Sequence, residues 1–170
     1  MQRPQTLLAS TFDLIAEADL DAVAEVLGNN PGLIDQPTFF AGGTLLHYAA
    51  AKSTPEMVGL LLSLGFSVDA RGKHYGDTPL HAACSWGRTE NGRVLLAKGA
   101  ALDGTASHTD PLFGAVLSQS LETVAFIVGA GADVRRRHML ESGDCVDAAE
   151  FARSKGYEAI EAFLRSAGDG

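Results

Sequence analysis

One motif recurs along the chain at a nearly constant interval, and this periodicity restricts the fold more than any other feature. Residues 78–83 (TPLHAA) have a counterpart at residues 44–49 (TLLHYA), 34 residues upstream. Weaker counterparts begin 32 residues later at Asp110 and a further 37 residues later at Asp147. An apolar stretch follows each copy after about ten residues. A fixed period of roughly 20–50 residues indicates a solenoid of stacked supersecondary units.

The residues of the motif predict where helices begin and end. Thr78 supplies a capping hydroxyl, and Pro79 follows at the first helical position, where its missing N–H has little effect. Gly65, Gly99 and Gly131 follow successive apolar stretches, and glycine adopts the left-handed conformation that ends a helix. Each repeat is therefore predicted to be two short helices. Such a unit cannot bury its own apolar face, so neighbouring units must stack and the end units must serve as caps.

The motif, its spacing and its glycine endings resemble those of ankyrin repeats, whose unit is a turn followed by two antiparallel helices. The resemblance implies an all-α solenoid of about five helical pairs with β-turn or hairpin connections, and a single domain over residues 1–170. The family member that it resembles is a small stand-alone ankyrin-repeat domain of bacterial type. The predicted units are an N-terminal cap, three full repeats and a C-terminal cap, at residues 7–35, 43–69, 76–103, 108–134 and 144–165.

Composition limits the partners and the compartment. The 170 residues carry a formal net charge of −8, which argues against nucleic-acid binding and suits a basic protein partner. Two cysteines cannot form a disulfide framework, which suggests a reducing compartment. The sequence shows no secretory signal, no apolar run long enough for a membrane span and no lipidation signal. We therefore expect a cytoplasmic protein with no membrane contact.

The repeated histidines are the first candidates for reactive groups. His47 and His81 occupy the same repeat position, where a metal ligand, a general base and a structural hydrogen-bonding group are the alternatives. Phe113 and Glu150 replace the histidine in the other copies, which favours the structural role. No zinc-ligand spacing, nucleophile elbow or phosphate-binding loop is present in the sequence. We expect no enzymatic activity, no metal, no cofactor and no small-molecule substrate.

The ankyrin resemblance also implies a contact surface, the concave side formed by the turn tips and the first helix of each repeat. Trp and Tyr are enriched at binding hot spots, so Trp86 and Tyr75 are the strongest candidates, although Trp86 would alternatively cover the neighbouring repeat. The positions carried over as partner-binding are Phe40, Lys52, His74, Tyr75, Asp77, Ser85, Trp86, Ser107, Thr109, Leu117 and Ser118, with Ala41, Gly43 and Ala51 beside them.

Two segments depart from the repeat pattern. Residues 135–144 (RRRHMLESGD) lengthen one connection, and their arginines predict either a contact with an anion or acidic partner, or a solvated loop. Residues 90–93 (ENGR) replace the apolar start of a second helix. Because Asn91 and Gly92 are poor helix formers, we expect this helix to begin late or to have a loosened outer face.

The leading functional interpretation is a non-catalytic protein–protein interaction module that binds a protein partner through its concave face. A sharper version is an inhibitor or immunity protein that neutralises a basic toxin or enzyme, because an acidic chain would complement a basic cleft. The alternative is an adaptor or regulatory subunit that bridges two partners, one on the concave side and one at residues 135–144.

Overall fold

The computed structural model describes residues 4–38, 40, 42–102, 104, 106 and 109–169, of which residues 4–6 are described as backbone only. The helices of these residues form five successive pairs, which confirms the predicted all-α solenoid. A short 3₁₀ turn at Pro31–Leu33 follows the first pair. The pairs are α1 (Pro4–Ala16) with α2 (Leu20–Asn29), α3 (Leu45–Lys52) with α4 (Pro55–Ser63), α5 (Pro79–Ser85) with α6 (Thr89–Ala97), α7 (Pro111–Leu117) with α8 (Leu121–Gly129), and α9 (Ala148–Ser154) with α10 (Glu158–Gly168).

Local capping explains why the helices begin and end at these residues. The Thr78 hydroxyl accepts a hydrogen bond from the His81 N–H at 3.2 Å, as the motif predicts for a helix start. At the start of α9, the Asp147 carboxylate accepts from the Glu150 N–H at 2.8 Å, and the Glu150 carboxylate accepts from the Asp147 N–H at 3.1 Å. The expected glycine endings are confirmed by positive φ angles of 100°, 88° and 102° at Gly65, Gly99 and Gly131.

The first and the second helices pack along the stack to different extents. In the central repeats, α3, α5 and α7 pack against one another more extensively than α4, α6 and α8 do. Small side chains permit this approach: Ala50 and Ala83 are fully buried, and a Cβ on Gly114 would lie only 2.7 Å from the Ser85 Oγ. We call the side formed by α3, α5, α7, α9 and the turns that precede them the inner surface, and the side formed by the second helices the outer surface.

A buried histidine joins two neighbouring repeats. The Nδ1 atom of His47 accepts a hydrogen bond from the Thr44 N–H at 3.0 Å, so its Nε2–H donates to the Asp77 carbonyl oxygen at 3.1 Å. Burial lowers the pKa of His47, which keeps the ring neutral in this arrangement. The second repeated histidine, His81, lies with its Nε2 3.3 Å from the Ser85 Oγ. These contacts support a structural role for the repeated histidines.

The expectation that the second helix of the second repeat begins late is wrong, because α6 begins at Thr89 and contains both poor helix formers. The amide of Asn91 donates to the carbonyl oxygens of Ala50 at 2.9 Å and Ser53 at 3.1 Å, at the end of α3. A Cβ on Gly92 would lie 3.1 Å from the Phe126 ring. Packing between repeats, rather than helix propensity, therefore explains why Asn91 and Gly92 occupy these positions in α6.

The long connection before α9 is an ordered hairpin rather than a solvated loop. Strand β1 (His138–Met139) pairs antiparallel with β2 (Cys145–Val146). The Nε2 of buried His138 lies 2.8 Å from the carboxylate of buried Asp110, at the start of α7. Phe113 contacts the His138 ring edge-to-face at 5.0 Å and stacks on Phe151 at 5.1 Å. The hairpin therefore connects the third repeat to the C-terminal pair.

The arginines of this connection are largely engaged within the chain. The Arg137 guanidinium lies 2.9 Å from the Glu150 carboxylate and donates to the Cys145 carbonyl oxygen. The Arg135 guanidinium donates to the Gly168 carbonyl oxygen. The expectation of an arginine cluster open to an anion is therefore corrected at Arg135 and Arg137, because both side chains already bond to other parts of the chain.

Candidate partner-binding surface

Large apolar side chains are exposed at the ends of two neighbouring first helices on the inner surface. Trp86, the residue after the end of α5, is 50% exposed, and Leu117, the last residue of α7, is 46% exposed. A Cβ on Gly87 would lie 3.6 Å from the Ser118 side chain, which shows that these two helix ends are adjacent. The repeats stack through other residues, so these two side chains are available to a partner.

A lysine extends this apolar pair to the preceding repeat. The ammonium nitrogen of Lys52, at the end of α3, lies 3.0 Å from the centroid of the Trp86 ring in a cation–π contact. Burial and the neighbouring positive charge of Arg88 lower the pKa of Lys52. Across the described part of the chain, no carboxylate forms an ion pair with this ammonium group. Lys52 therefore presents a positive charge beside an aromatic ring.

The two serines expected at the site are helix-end residues. Ser85 lies between His81 and Gly114, where its hydroxyl is 3.3 Å from the His81 Nε2. The Ser118 hydroxyl donates to the Ala115 carbonyl oxygen at 2.7 Å and accepts from the Ser120 N–H at 3.2 Å. Both side chains are half-buried on the inner surface next to Trp86 and Leu117, and their contacts fix the local backbone.

The turn residues divide into one aromatic cluster and one exposed tip. Phe40 is half-buried and contacts Tyr48 edge-to-face at 5.5 Å, so most of its ring covers the first repeat. Tyr75 is 63% exposed, and its ring centroid lies 6.5 Å from that of exposed His74. Tyr75 lies in the turn before α5 and Trp86 directly follows α5, a helix about 10 Å long.

Burial removes some expected residues from the candidate surface. Asp77 is 7% exposed and its carbonyl oxygen accepts from His47, while Thr109 is 3% exposed and its hydroxyl bonds to the backbone of Ala106. The Asp77 backbone and the Thr109 hydroxyl thus stabilise turns, and both side chains are buried away from a partner. Gly43 and Ala51 are also buried. Ser107 and Ala41 lie outside the described residues.

The family comparison agrees with this architecture. A family model described as "Ankyrin repeats (3 copies)" matches residues 12–106 and 76–138, which together exceed half of the chain. The chain belongs to the ankyrin-repeat family. The matched family is one of interaction modules and not a catalytic family.

Curated relatives resemble this ankyrin-repeat protein over part of their own length. Mouse "Protein phosphatase 1 regulatory subunit 12A" is 46% identical over 56 residues, which is 33% of this chain and 5% of the relative. Rice "Probable E3 ubiquitin-protein ligase XBOS32" is 36% identical over 80 residues, 47% of this chain and 16% of the relative. Human "Ankyrin repeat and SOCS box protein 11" is 28% identical over 93 residues, 55% of this chain and 28% of the relative.

The ankyrin-repeat protein also has a cleft that the sequence did not reveal. The hairpin lies beside the ends of α7 and α9 and encloses an open cleft of about 420 Å³. Its position depends on the contact between His138 and Asp110, which are 28 residues apart. Two sequence signals could have indicated it: the 37-residue interval between the motif copies at Asp110 and Asp147, and the apolar pair Met139 and Leu140 in a polar connection. The cleft is lined by Phe113, Leu117, Leu140, Glu141, Phe151 and Lys155.

Charge is distributed unequally between the two sides. Within residues 42–53, 71–88 and 109–118 that the structure describes, no exposed carboxylate is present, because Asp77 and Asp110 are both buried. The same residues present the cations Lys52, Arg71, Lys73 and Arg88. Exposed acids on the outer surface include Asp21, Glu25, Glu56, Glu90, Glu122 and Glu158. The net charge of −8 therefore does not describe the inner surface of the central repeats.

The described residues of this ankyrin-repeat protein offer little reactive chemistry. They contain no group of three His, Cys, Asp or Glu side chains that could hold a metal ion. Burial and nearby Asp110 raise the pKa of the Cys84 thiol, which disfavours a reactive thiolate. Among the same residues, no helix combines the length and the apolar character needed to cross a bilayer.

Proposed function

We propose that this ankyrin-repeat protein is a non-catalytic interaction module that binds a partner protein through its inner surface. The observation that carries the proposal is the exposure of Trp86 and Leu117 at adjacent helix ends, with the Lys52 ammonium against the Trp86 ring. A large aromatic surface flanked by a cation is typical of residues that dominate binding energy. Neither apolar side chain belongs to the core that joins the repeats.

The names of the relatives support a binding role of this kind. One relative is named as a regulatory subunit of a phosphatase, and another is named as a ubiquitin ligase. This chain spans only 5% and 16% of those proteins, so the likeness concerns their ankyrin segments. From this likeness we infer a regulatory or recognition role for this chain.

The substitution Trp86→Ala tests the proposal. The partner recovered by affinity capture on the wild-type chain is purified, and its affinity is measured by isothermal titration calorimetry. We expect Trp86→Ala to weaken binding by about 2–4 kcal/mol, because the ring supplies desolvated contact area. The control is Leu121→Ala, which removes a 42% exposed leucine from the first residue of the second helix α8. Equal affinities for wild type and Trp86→Ala would contradict the proposal.

Within this role, we propose an inhibitor that masks a toxin or an enzyme. The acidic net charge supports a basic partner. Because exposed acids such as Glu56, Glu122 and Glu158 lie on second helices, a basic partner would also contact these helices. Co-expression with toxins encoded beside this gene tests the idea. Rescue of growth would support it, whereas failure to rescue growth or to co-purify with the toxin would contradict it.

The alternative is an adaptor that bridges two partners. The difference in charge between the inner and outer surfaces favours it, because two chemically different surfaces suit two different partners. If the adaptor role is correct, substitutions on the inner surface release one partner and substitutions on the outer surface release the other. Loss of both partners through the same substitutions would contradict it.

We also propose a cytoplasmic location. The support is that neither Cys84 nor Cys145 is in a disulfide, as is usual in a reducing compartment. Fractionation of native cells followed by immunodetection tests the location. Recovery outside the cytoplasmic fraction would contradict it.

A further inference from the structure

Four residues at the ends of the first helices occupy equivalent positions in successive repeats. Lys52, Trp86, Ser118 and Lys155 each lie eight residues after the residue that caps the helix start, which is Thr44, Thr78, Asp110 and Asp147 respectively. We call these four residues the base row. Because α3, α5, α7 and α9 pack in sequence, the row crosses the inner surface from one repeat to the next.

The two lysines of the base row are cations without acidic partners. The Lys52 ammonium lies 3.0 Å from the centroid of the Trp86 ring, and the Lys155 ammonium lies 5.3 Å from that of Phe151. Neither forms an ion pair with a carboxylate in the part of the chain that the structure describes. An ammonium group held at an aromatic ring remains able to bind a carboxylate from outside.

Apolar surface occupies the space between the two lysines. Trp86 and Leu117 are each about half exposed, and Leu117 also lines the cleft beside the hairpin. Phe113 and Phe151 lie against the cleft, Leu140 of the hairpin lines it, and Lys155 lies at its edge. The base row therefore has a lysine at each end, with Trp86, Ser118 and the neighbouring Leu117 between them.

The surrounding charges favour an acidic partner at this row. Within residues 42–53, 71–88 and 109–118, the structure shows exposed cations and no exposed carboxylate. The nearest exposed acids on the second helices are Glu90 and Glu122, at the starts of α6 and α8, which line a cavity together with Arg88. Near Lys155, the carboxylate of Glu150 is already paired with Arg137 at 2.9 Å. Glu141 lines the cleft together with Lys155, so a carboxylate of the partner would be repelled from the hairpin side and bound on the lysine side.

We propose that the base row binds an extended acidic segment of the partner protein. One carboxylate pairs with Lys52 and another with Lys155, and apolar side chains between them contact Trp86 and Leu117 and enter the cleft. Three helix-to-helix intervals of about 8–10 Å separate the two lysines, which gives roughly 24–30 Å. At about 3.3 Å per residue, the two acids are about eight or nine residues apart in the segment. This inference rests on the proposed function and adds the chemistry of the partner.

Selection from a peptide library tests the inference and does not require the natural partner. A phage library of random 12-residue peptides is selected on the immobilised full-length protein, and enriched peptides are synthesised with a fluorescent label. We expect enriched peptides to carry a net negative charge, with two acidic residues about eight positions apart and apolar residues between them. Their affinity should fall at least about tenfold when the salt concentration rises from about 50 mM to 500 mM.

Charge reversal at the base row supplies matched variants. Lys52→Glu and Lys155→Glu should each weaken the enriched peptides about tenfold or more, whereas Lys98→Glu should leave affinity unchanged. Lys98 is an exposed lysine at the end of α6 on the outer surface. Lys98→Glu therefore changes the net charge by the same amount as the two test variants. A lysine at a helix end also stabilises the helix through the macrodipole, so thermal midpoints are measured in parallel. Lower midpoints with unchanged affinity would overturn the inference.

The outcomes separate this inference from the proposed function. Enrichment of neutral or basic peptides would overturn the inference that the partner segment is acidic. If Leu117→Asp abolishes binding of those peptides, binding at the inner surface would still be supported. Enriched peptides that are insensitive to Leu117→Asp would overturn both. If no peptide is enriched, the inference fails, and the binding experiment with Trp86→Ala decides the proposed function separately.

Discussion

At the scale of single residues, the contacts of Asn91 explain a position that helix propensity disfavours. Four carbonyl groups at a helix end have no partner within the helix. The Asn91 amide donates to the carbonyl oxygens of Ala49, Ala50 and Ser53, at distances of 3.4, 2.9 and 3.1 Å. Asn91 is 2% exposed, so water does not replace these bonds readily. One side chain thus stabilises the end of α3 and joins it to α6.

Replacement of this side chain should reduce stability. We expect Asn91→Ala to lower the free energy of unfolding by about 1–3 kcal/mol, because buried carbonyl groups lose their donor. Chemical denaturation followed by circular dichroism measures the change. Glu90→Ala is the control on the same helix, since Glu90 forms only an exposed ion pair with Arg93. Equal losses for the two variants would contradict the capping role.

The buried histidine should make stability depend on pH. The pKa of His47 is lowered from 6.5 by burial, so the unfolded chain binds a proton at a higher pH than the folded chain. The free energy of unfolding is therefore expected to be highest above about pH 6.5 and to fall as the pH falls toward the lowered pKa. Denaturation of wild type and His47→Gln between about pH 7.5 and pH 5.5 measures this dependence. A slope in the variant as steep as in wild type would show that another group is responsible.

At the scale of elements, the hairpin supplies a contact between repeats that the motif histidine supplies in the first full repeat. In the first full repeat, His47 bonds to the backbone of the next turn at 3.1 Å. In the third, phenylalanine replaces the motif histidine, and His138 of the hairpin bonds to the Asp110 carboxylate at 2.8 Å. The stacking of Phe113 on Phe151 adds apolar contact at the same place. The hairpin therefore adds to the direct packing of α9 on α7.

Loss of His138 should loosen this attachment locally. In His138→Ala, the Oδ2 of the buried Asp110 carboxylate loses its partner while Oδ1 keeps the Leu112 N–H, at a cost of about 1–3 kcal/mol. We expect hydrogen–deuterium exchange to increase in the hairpin, α9 and α10, and to change little in α3 and α4. The control is Met139→Ala, because the neighbouring Met139 side chain is 64% exposed. Uniform loss of protection along the whole chain would contradict a local role.

At the scale of the whole molecule, helix packing and charge both differ between the first and the second helices. The first helices α3, α5, α7 and α9 are short and carry alanine or glycine, so they pack closely and form the inner side. Second helices such as α2, α4 and α8 expose carboxylates to the outer side. The result is a molecule with an acidic outer surface and an inner surface that combines cations with aromatic and aliphatic side chains.

Sequence reasoning predicted the parts of this architecture that depend on local signals. The capping residue Thr78 and the terminal Gly65 act within one helix, so their roles could be inferred without coordinates. The burial of Asp77 and Thr109 depends on neighbouring turns, and the cleft depends on the contact between His138 and a residue of another repeat. Such features arise from packing between distant segments. A repeat pattern alone could not reveal them.

Site-specific photo-crosslinking tests the central claim, that the molecule functions through the inner surface of its stacked repeats. Leu117→p-benzoylphenylalanine places the crosslinker on the inner surface, and Leu121→p-benzoylphenylalanine places it on the first residue of the second helix α8, at similar exposures of 46% and 42%. Each variant is expressed in native cells, irradiated and analysed by mass spectrometry. We predict protein adducts at position 117 that disappear with Trp86→Ala. Adducts only at position 121, or none at position 117, would contradict the claim.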